Sequence, residues 1–181
     1  MTPTPLDRVL LIGFMGSGKT SVGKRVAAGL GWRFADFDDA IEAEAGMSVA
    51  EIFATRGEPY FRAFEERVAE RLLAGRNVVL ATGGGWAAAP GRLRGVPAGT
   101  ATFWLQVSAP EALRRASGAA GTRPLLARPD APEEALRLIS RRAPYYKEAM
   151  WAVDTERSSV DDVSASILEI LALEYPGIRA E

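Results

Sequence analysis

The sequence predicts an α/β fold, with a five-stranded parallel sheet covered by helices on both faces. Two observations lead there. Short apolar runs alternate with segments of helical periodicity along the 181 residues, and strands separated by helices read as βαβ units. The most apolar of these runs are bounded by glycine, which fits strands buried on both faces.

Each element has its own signal. Arg8 to Ile12 (RVLLI) is a short apolar run closed by Gly13, hence a strand. Ser17 to Leu30 is periodic, and Gly31 suits the left-handed residue that ends a helix. Arg33 to Asp36 is a short strand. Ser48 opens a helix, with Glu51 three residues on as a capping box. Gly57 breaks it, and Pro59 suits the first turn of the next helix. There Phe61, Phe64, Val68 and Leu72 recur at helical spacing, and Gly75 ends the run. Asn77 to Thr82 and Thr100 to Val107 are strands. Ser108 and Glu111 frame another helix start. Residues 117–131, rich in Gly, Ala, Arg and Pro, read as a loop. A helix over 132–147 follows, then a strand from Met150 to Val153. Ser159 to Glu174 is the final helix, with Val160, Val163, Ile167, Ile170 and Leu171 as its apolar stripe. No internal repeat or low-complexity linker divides the chain, so residues 1–181 are expected to form one domain.

Composition narrows the chemistry. The chain is 48% hydrophobic and 25% charged, with 22 basic and 23 acidic residues and a net charge of −1. That balance gives no reason to expect nucleic acid or an anionic membrane as partner. There is no cysteine and no histidine. Thiolate metal sites and cysteine nucleophiles are excluded, and a general base must be Asp, Glu, Lys or Tyr. Any metal must sit among oxygens, which favours Mg²⁺ over zinc. The start MTPTPLDRVLLIGF has no charged n-region or long apolar stretch, so no signal peptide is expected. No run approaches the length of a membrane span. The expected compartment is the cytoplasm.

The strongest motif is Gly13-Phe14-Met15-Gly16-Ser17-Gly18-Lys19-Thr20, a full G-x-x-x-x-G-K-[ST] match between a strand and a helix. Its glycines let backbone N–H groups turn inward as an anion nest, and the helix N-terminus adds positive potential. Lys19 can reach the terminal phosphates of a nucleotide, and the Thr20 hydroxyl can ligate Mg²⁺. The second apolar strand, VVLAT, ends in Gly83-Gly84-Gly85 and carries no acid. An oxygen ligand for the metal must therefore come from elsewhere, and Asp36 and Asp38, at the end of the second strand, are the obvious source.

Asp36-Phe37-Asp38 is read as extended, so that both carboxylates face the carboxyl end of the sheet, where open α/β sheets bind ligands. One acid can support the metal while the other takes or orients an acceptor hydroxyl. The plainer alternative is a helix N-cap at Asp38. Gly83 to Gly85 give close backbone approach to a ligand. Arg62 and Arg142 are each able to clamp a carboxylate, and Arg123 in the 117–131 segment can close over phosphates. Phe53 and Phe61 are expected as core residues rather than ligand contacts.

Together GFMGSGKT, FADFDDAIE, EIFATRGEPYFRAFE, VVLATGGG, TRPLL and RAPYYKEA, in this order, resemble shikimate kinase, from the nucleoside-monophosphate-kinase-like group of P-loop kinases. The resemblance covers roughly residues 7–155. It implies a three-layer α/β/α P-loop kinase fold with sheet order 2-3-1-4-5, a phosphate loop over 13–21, an acceptor-binding region over about 36–75 and a mobile lid over about 115–131. It implies ATP-dependent phosphorylation of the shikimate 3-hydroxyl, with Mg²⁺ as cofactor and shikimate and ATP as small-molecule partners of a monomer. Gly16, Ser17, Gly18, Lys19, Thr20 and Ser21 are then expected to cradle ATP, with Thr20 on the metal and Asp36 near it. By the same resemblance Lys19, Asp38 and Arg123 are catalytic, with Asp38 as base. Asp38, Arg62, Gly83, Gly84, Gly85 and Arg142 bind shikimate, Gly84 foremost among the glycines. Arg115 stacks on adenine, Arg123 reaches ATP from the lid, and Arg157 or Ser158 makes a weaker adenine contact. Trp86 departs from the pattern, standing where a small or polar residue is usual, which puts the shape of the acceptor pocket in question. The rival readings are a related kinase acting on gluconate and a non-catalytic ATP-binding switch.

Overall fold

The computed structural model describes residues 5–117 and 129–178. Its elements run β1 (Arg8–Ile12), α1 (Lys19–Leu30), β2 (Arg33–Asp36), α2 (Phe37–Ala45), α3 (Val49–Leu73), β3 (Val78–Ala81), β4 (Thr100–Gln106), α4 (Ala109–Ser117), α5 (Ala131–Tyr146), β5 (Trp151–Asp154) and α6 (Val160–Glu174), with one 3₁₀ turn at Leu93–Gly95. The five strands form one sheet in the order β2-β3-β1-β4-β5, and every pair is parallel. This is the expected fold class and strand order.

Strand alternation divides the core. Val9 and Leu11 of β1, Val79 of β3 and Phe103 and Leu105 of β4 face α1 and α6, meeting Val26 and Ile167. Leu10, Ile12, Val78 and Leu80 point to the other face, against Phe37 of α2, Ala69 of α3 and Tyr146 of α5. All five residues of β1 and all four of β3 are buried. These central strands therefore present only their carboxyl-end loops to solvent, where a ligand can be held.

The helix ends set the local charge. Ser48 and Glu51 form the expected capping box on α3, and Gly57, at φ +81°, interrupts that helix before Pro59. Ser159 and Asp162 cap α6 in the same way. The N-terminus of α1 differs. Gly18 provides no side-chain cap and the first turn holds no acid. Its N–H groups and positive end are left to an anion from outside the chain.

Two expectations change. Asp36-Phe37-Asp38 is not an extended triplet, because α2 begins at Phe37, and the Asp36 carboxylate accepts from the Asp38 N–H as an N-cap. Capping by Asp36, acids in the first turn and burial of Phe37 and Ile41 one helical turn apart together favour the helix. Along α6, Val160 is exposed rather than part of the buried stripe. The expected loop over 117–131 begins at the last residue of α4 and ends at the first of α5. Its central part, 118–128, including Arg123, lies outside the described residues.

Arg8 opens the central strand yet is buried, 6% exposed. Its Nε donates to the Leu73 carbonyl at 2.7 Å, and its Nη1 donates to the Ala98 carbonyl at 3.1 Å. It thereby ties the end of α3 to the turn before β4. An Arg8→Met exchange keeps the stem and removes these charged hydrogen bonds. Urea unfolding is expected to report a loss of about 2–3 kcal/mol; an unchanged midpoint would contradict this role.

Candidate active site

Two cavities meet at the carboxyl end of the sheet. One, of about 630 Å³, is lined by Asp36, Asp38, Arg62, Glu65, Gly83 to Gly85 and Arg142, among others. The other, of about 560 Å³, is lined by Gly16 to Val22, Arg115, Thr155, Ser158 and Val160, among others. Lys19 and Thr20 line both. They are the junction between a nucleotide-sized cleft and an acceptor-sized cavity.

The phosphate loop is set by packing as well as by sequence. Gly16 has φ +72°, and a Cβ there would stand 2.4 Å from the Ala112 carbonyl oxygen. The loop therefore rests on α4 at a point where only glycine fits. The Lys19 ammonium donates to the Gly13 and Phe14 carbonyls at 2.9 and 3.0 Å. It thus lies over the loop that its own helix terminates. The Thr20 hydroxyl donates to Asp36 Oδ2 at 2.7 Å. This bond joins the proposed metal ligand to the acid expected beside it.

On the acceptor side, Asp36, Asp38, Asp39 and Glu42 supply carboxylates, while Arg62 and Arg142 supply guanidiniums. Burial raises the Asp39 pKa, and the neighbouring Asp36 charge adds to the rise. Arg62 donates to Glu65 at 2.7 Å and to Glu58 at 3.2 Å. Arg142 donates to the Gly84 carbonyl at 3.0 Å and lies 5.7 Å from the centre of the Phe14 ring. The triple glycine passes between these charges. A Cβ at Gly83 would lie 2.9 Å from Glu65 Oε1 and 3.0 Å from Asp38 Oδ1; one at Gly85 would lie 3.0 Å from the Arg62 nitrogens.

In the nucleotide cleft Arg115 is anchored by Glu111 at 2.6 Å, by the Thr155 carbonyl at 2.5 Å and by the Gly16 carbonyl at 3.4 Å. It thereby links the phosphate loop to the turn after β5. The hydrogen bond from Arg114, with that from Arg115, holds the Glu111 carboxyl down to about 2. Ser158 lines the cleft and Arg157 is exposed outside it. Phe53 and Phe61 pack together with ring centres 4.5 Å apart and also line the acceptor cavity, so they are core and wall at once. Trp86 does not line it; it is buried in the core behind the glycines.

The family model described as shikimate kinase matches residues 15–172. The chain belongs to the shikimate kinase family. A shikimate kinase of Mycobacterium tuberculosis (strain ATCC 25177 / H37Ra) is 42% identical over 174 residues, covering 96% of this chain and 98% of its own. A shikimate kinase from Acinetobacter baumannii, solved in complex with shikimate, superposes with a TM-score of 0.86 at 31% identity, covering 93% of this chain and 94% of its own. A gluconokinase from Sinorhizobium meliloti 1021 superposes with a TM-score of 0.62 at 19% identity, covering 96% of this chain and 95% of its own, which shows a shared fold alone.

Within this shikimate kinase site, the sequence motifs left two residues without a role. Glu65 is buried, at 3% exposure, between Arg62 and Gly83. Its signal was an acid three residues after Arg62 on a helix, a spacing common to ordinary surface ion pairs. The Tyr146 hydroxyl shares the Gly84 carbonyl with Arg142. Tyr146 lies four positions after Arg142, about one turn of α5, so both reach the same loop.

Burial raises the Glu65 pKa, and the Arg62 charge only partly offsets it. The folded chain thus holds this proton more readily than the unfolded one. Its contribution to stability is therefore greatest below the unfolded value, 4.5, and declines as pH rises through the folded value. Urea stabilities of wild type and Glu65→Gln, measured from about pH 4 to 8, are expected to give a wild-type-minus-variant difference that falls with pH. A difference that rises with pH would contradict the assignment.

Proposed function

We propose that this protein transfers the γ-phosphoryl group of ATP to the 3-hydroxyl of shikimate, giving shikimate 3-phosphate and ADP. The observation that carries the reading is the junction: a phosphate loop whose Lys19 and Thr20 also border a cavity with carboxylates and guanidiniums on its walls. Family membership supplies the acceptor.

In this reading Gly16 to Ser21 hold the phosphates at the uncapped end of α1. Arg62 and Arg142 bind the shikimate carboxylate, and Gly83 to Gly85 let the ring approach the backbone. Asp38 accepts the hydrogen bond of the reacting hydroxyl and takes its proton as transfer proceeds. Lys19, with Arg123 from the segment outside the described residues, spreads the charge on the transferred group. Arg115 lies against adenine. Catalysis is chiefly positioning and electrostatic stabilisation.

The donor set fits Mg²⁺. Only oxygen ligands exist, since the chain has no histidine or cysteine, and the Thr20 hydroxyl and Asp36 carboxylate are already joined. Among the described residues no group of three acids is placed to hold a metal. That suits an ion bound mostly by nucleotide phosphates and water. Thr20 would ligate it and Asp36 would support that ligation; when bound, the ion neutralises phosphate charge.

The test is ADP release from Mg-ATP with shikimate, with gluconate or with no acceptor. ADP is expected only with shikimate, in step with shikimate 3-phosphate. Preference for gluconate, or release without any acceptor, would overturn the proposal. Asp38→Asn is expected to bind ATP normally and to lose about 10²–10⁴-fold in turnover; undiminished turnover would remove Asp38 as the base.

A further inference from the structure

We propose that Trp86, braced by Arg92 and Glu66, is a positioning residue that sets the two walls of the acceptor site from behind. The inference rests on the reading of that cavity as the shikimate site.

Trp86 is 4% exposed and lies outside the cavity lining, directly after the glycines that line it. Its ring meets Phe37 edge to face at 5.3 Å, and Phe37 stands between Asp36 and Asp38 in sequence. On another side the Arg92 guanidinium lies 5.0 Å from the centre of the Trp86 ring. Arg92 also donates to the Glu66 carboxylate. Glu66 follows Glu65, the partner of Arg62. One indole thus touches both supports of the site: the start of α2, which carries the carboxylates, and, through Arg92 and Glu66, the turn of α3 that holds Arg62. Its own backbone N–H closes the turn onto the Gly83 carbonyl at 3.2 Å.

The indole Nε1 is buried and has no hydrogen-bond partner among the described residues. The ring is therefore held by its shape and its π-face rather than by a polar bond. A small residue in its place would leave Phe37 and Arg92 unsupported, so the walls would spread without any cavity-lining group being removed.

The experiment measures the shikimate KM, the ATP KM, kcat and the melting temperature for wild type, Trp86→Ala, Trp86→Phe and Arg92→Leu. Trp86→Ala and Arg92→Leu are expected to raise the shikimate KM about tenfold while leaving the ATP KM within about twofold, because the groups displaced, Asp38 and Arg62, line the acceptor cavity and not the nucleotide cleft. Trp86→Phe keeps an aromatic ring against Phe37 and loses no hydrogen bond, and is expected to restore most of the wild-type shikimate KM. Equal rises in both KM values, or a lowered melting temperature with an unchanged shikimate KM, would reduce Trp86 to a core residue and overturn the proposal. Should Trp86→Ala fail to fold, an unchanged shikimate KM in Arg92→Leu overturns it alone. Wild type inert toward shikimate would instead refute the function proposed above, and this inference with it.

Discussion

Three consecutive positions without side chains govern this site. The chain leaves β3 through Gly83, Gly84 and Gly85, within about 3 Å, measured from hypothetical Cβ positions, of Asp38, Glu65 and Arg62. Any Cβ at Gly83 or Gly85 would displace the ends of those side chains, which line the acceptor cavity. The Gly84 carbonyl in turn holds Arg142 and Tyr146. The glycine strip thus holds the Arg142 guanidinium, while Arg62 is held by Glu58 and Glu65. Without side chains at Gly83 and Gly85, the ends of Asp38, Glu65 and Arg62 keep the space they occupy beside the cavity.

The nucleotide side obeys a complementary constraint. The chain caps α2, α3 and α6 with its own side chains and sets acids in their first turns. It withholds both from α1. The anion that satisfies α1 must come from outside, and β1 aims that helix end at the junction of the two cavities. The Thr20–Asp36 hydrogen bond then joins α1 to the start of α2. The phosphate loop and the acids of the acceptor cavity are thereby coupled.

Much of this was legible in the sequence. The strands are apolar runs bounded by glycine, and their order follows from the family that the motifs indicate. The phosphate loop, Asp36, Asp38, Arg62, the triple glycine and Arg142 border the two cavities as expected. The helix α2 was not legible, because Asp36 and Asp38 serve as cap and first-turn acid while also lining the cavity, and one short motif carried both meanings. Glu65 was hidden by an ordinary helical spacing, since it is buried against Gly83 in the turn after β3, far along the chain. Val160 looked apolar and internal, but α6 turns it toward the nucleotide cleft. Trp86 looked like a change in the pocket, whereas the turn after β3 directs it into the core.

The most direct test of the account is the affinity of Gly83→Ala for shikimate, measured by calorimetry beside its affinity for ATP. The nearest groups the added methyl meets are the Glu65 and Asp38 carboxylates, and Gly83 does not line the nucleotide cleft. The account predicts at least a roughly tenfold weaker shikimate affinity, about 1.4 kcal/mol, with ATP binding unchanged. Wild-type shikimate affinity in this variant would contradict the claim that a bare backbone strip builds the acceptor site.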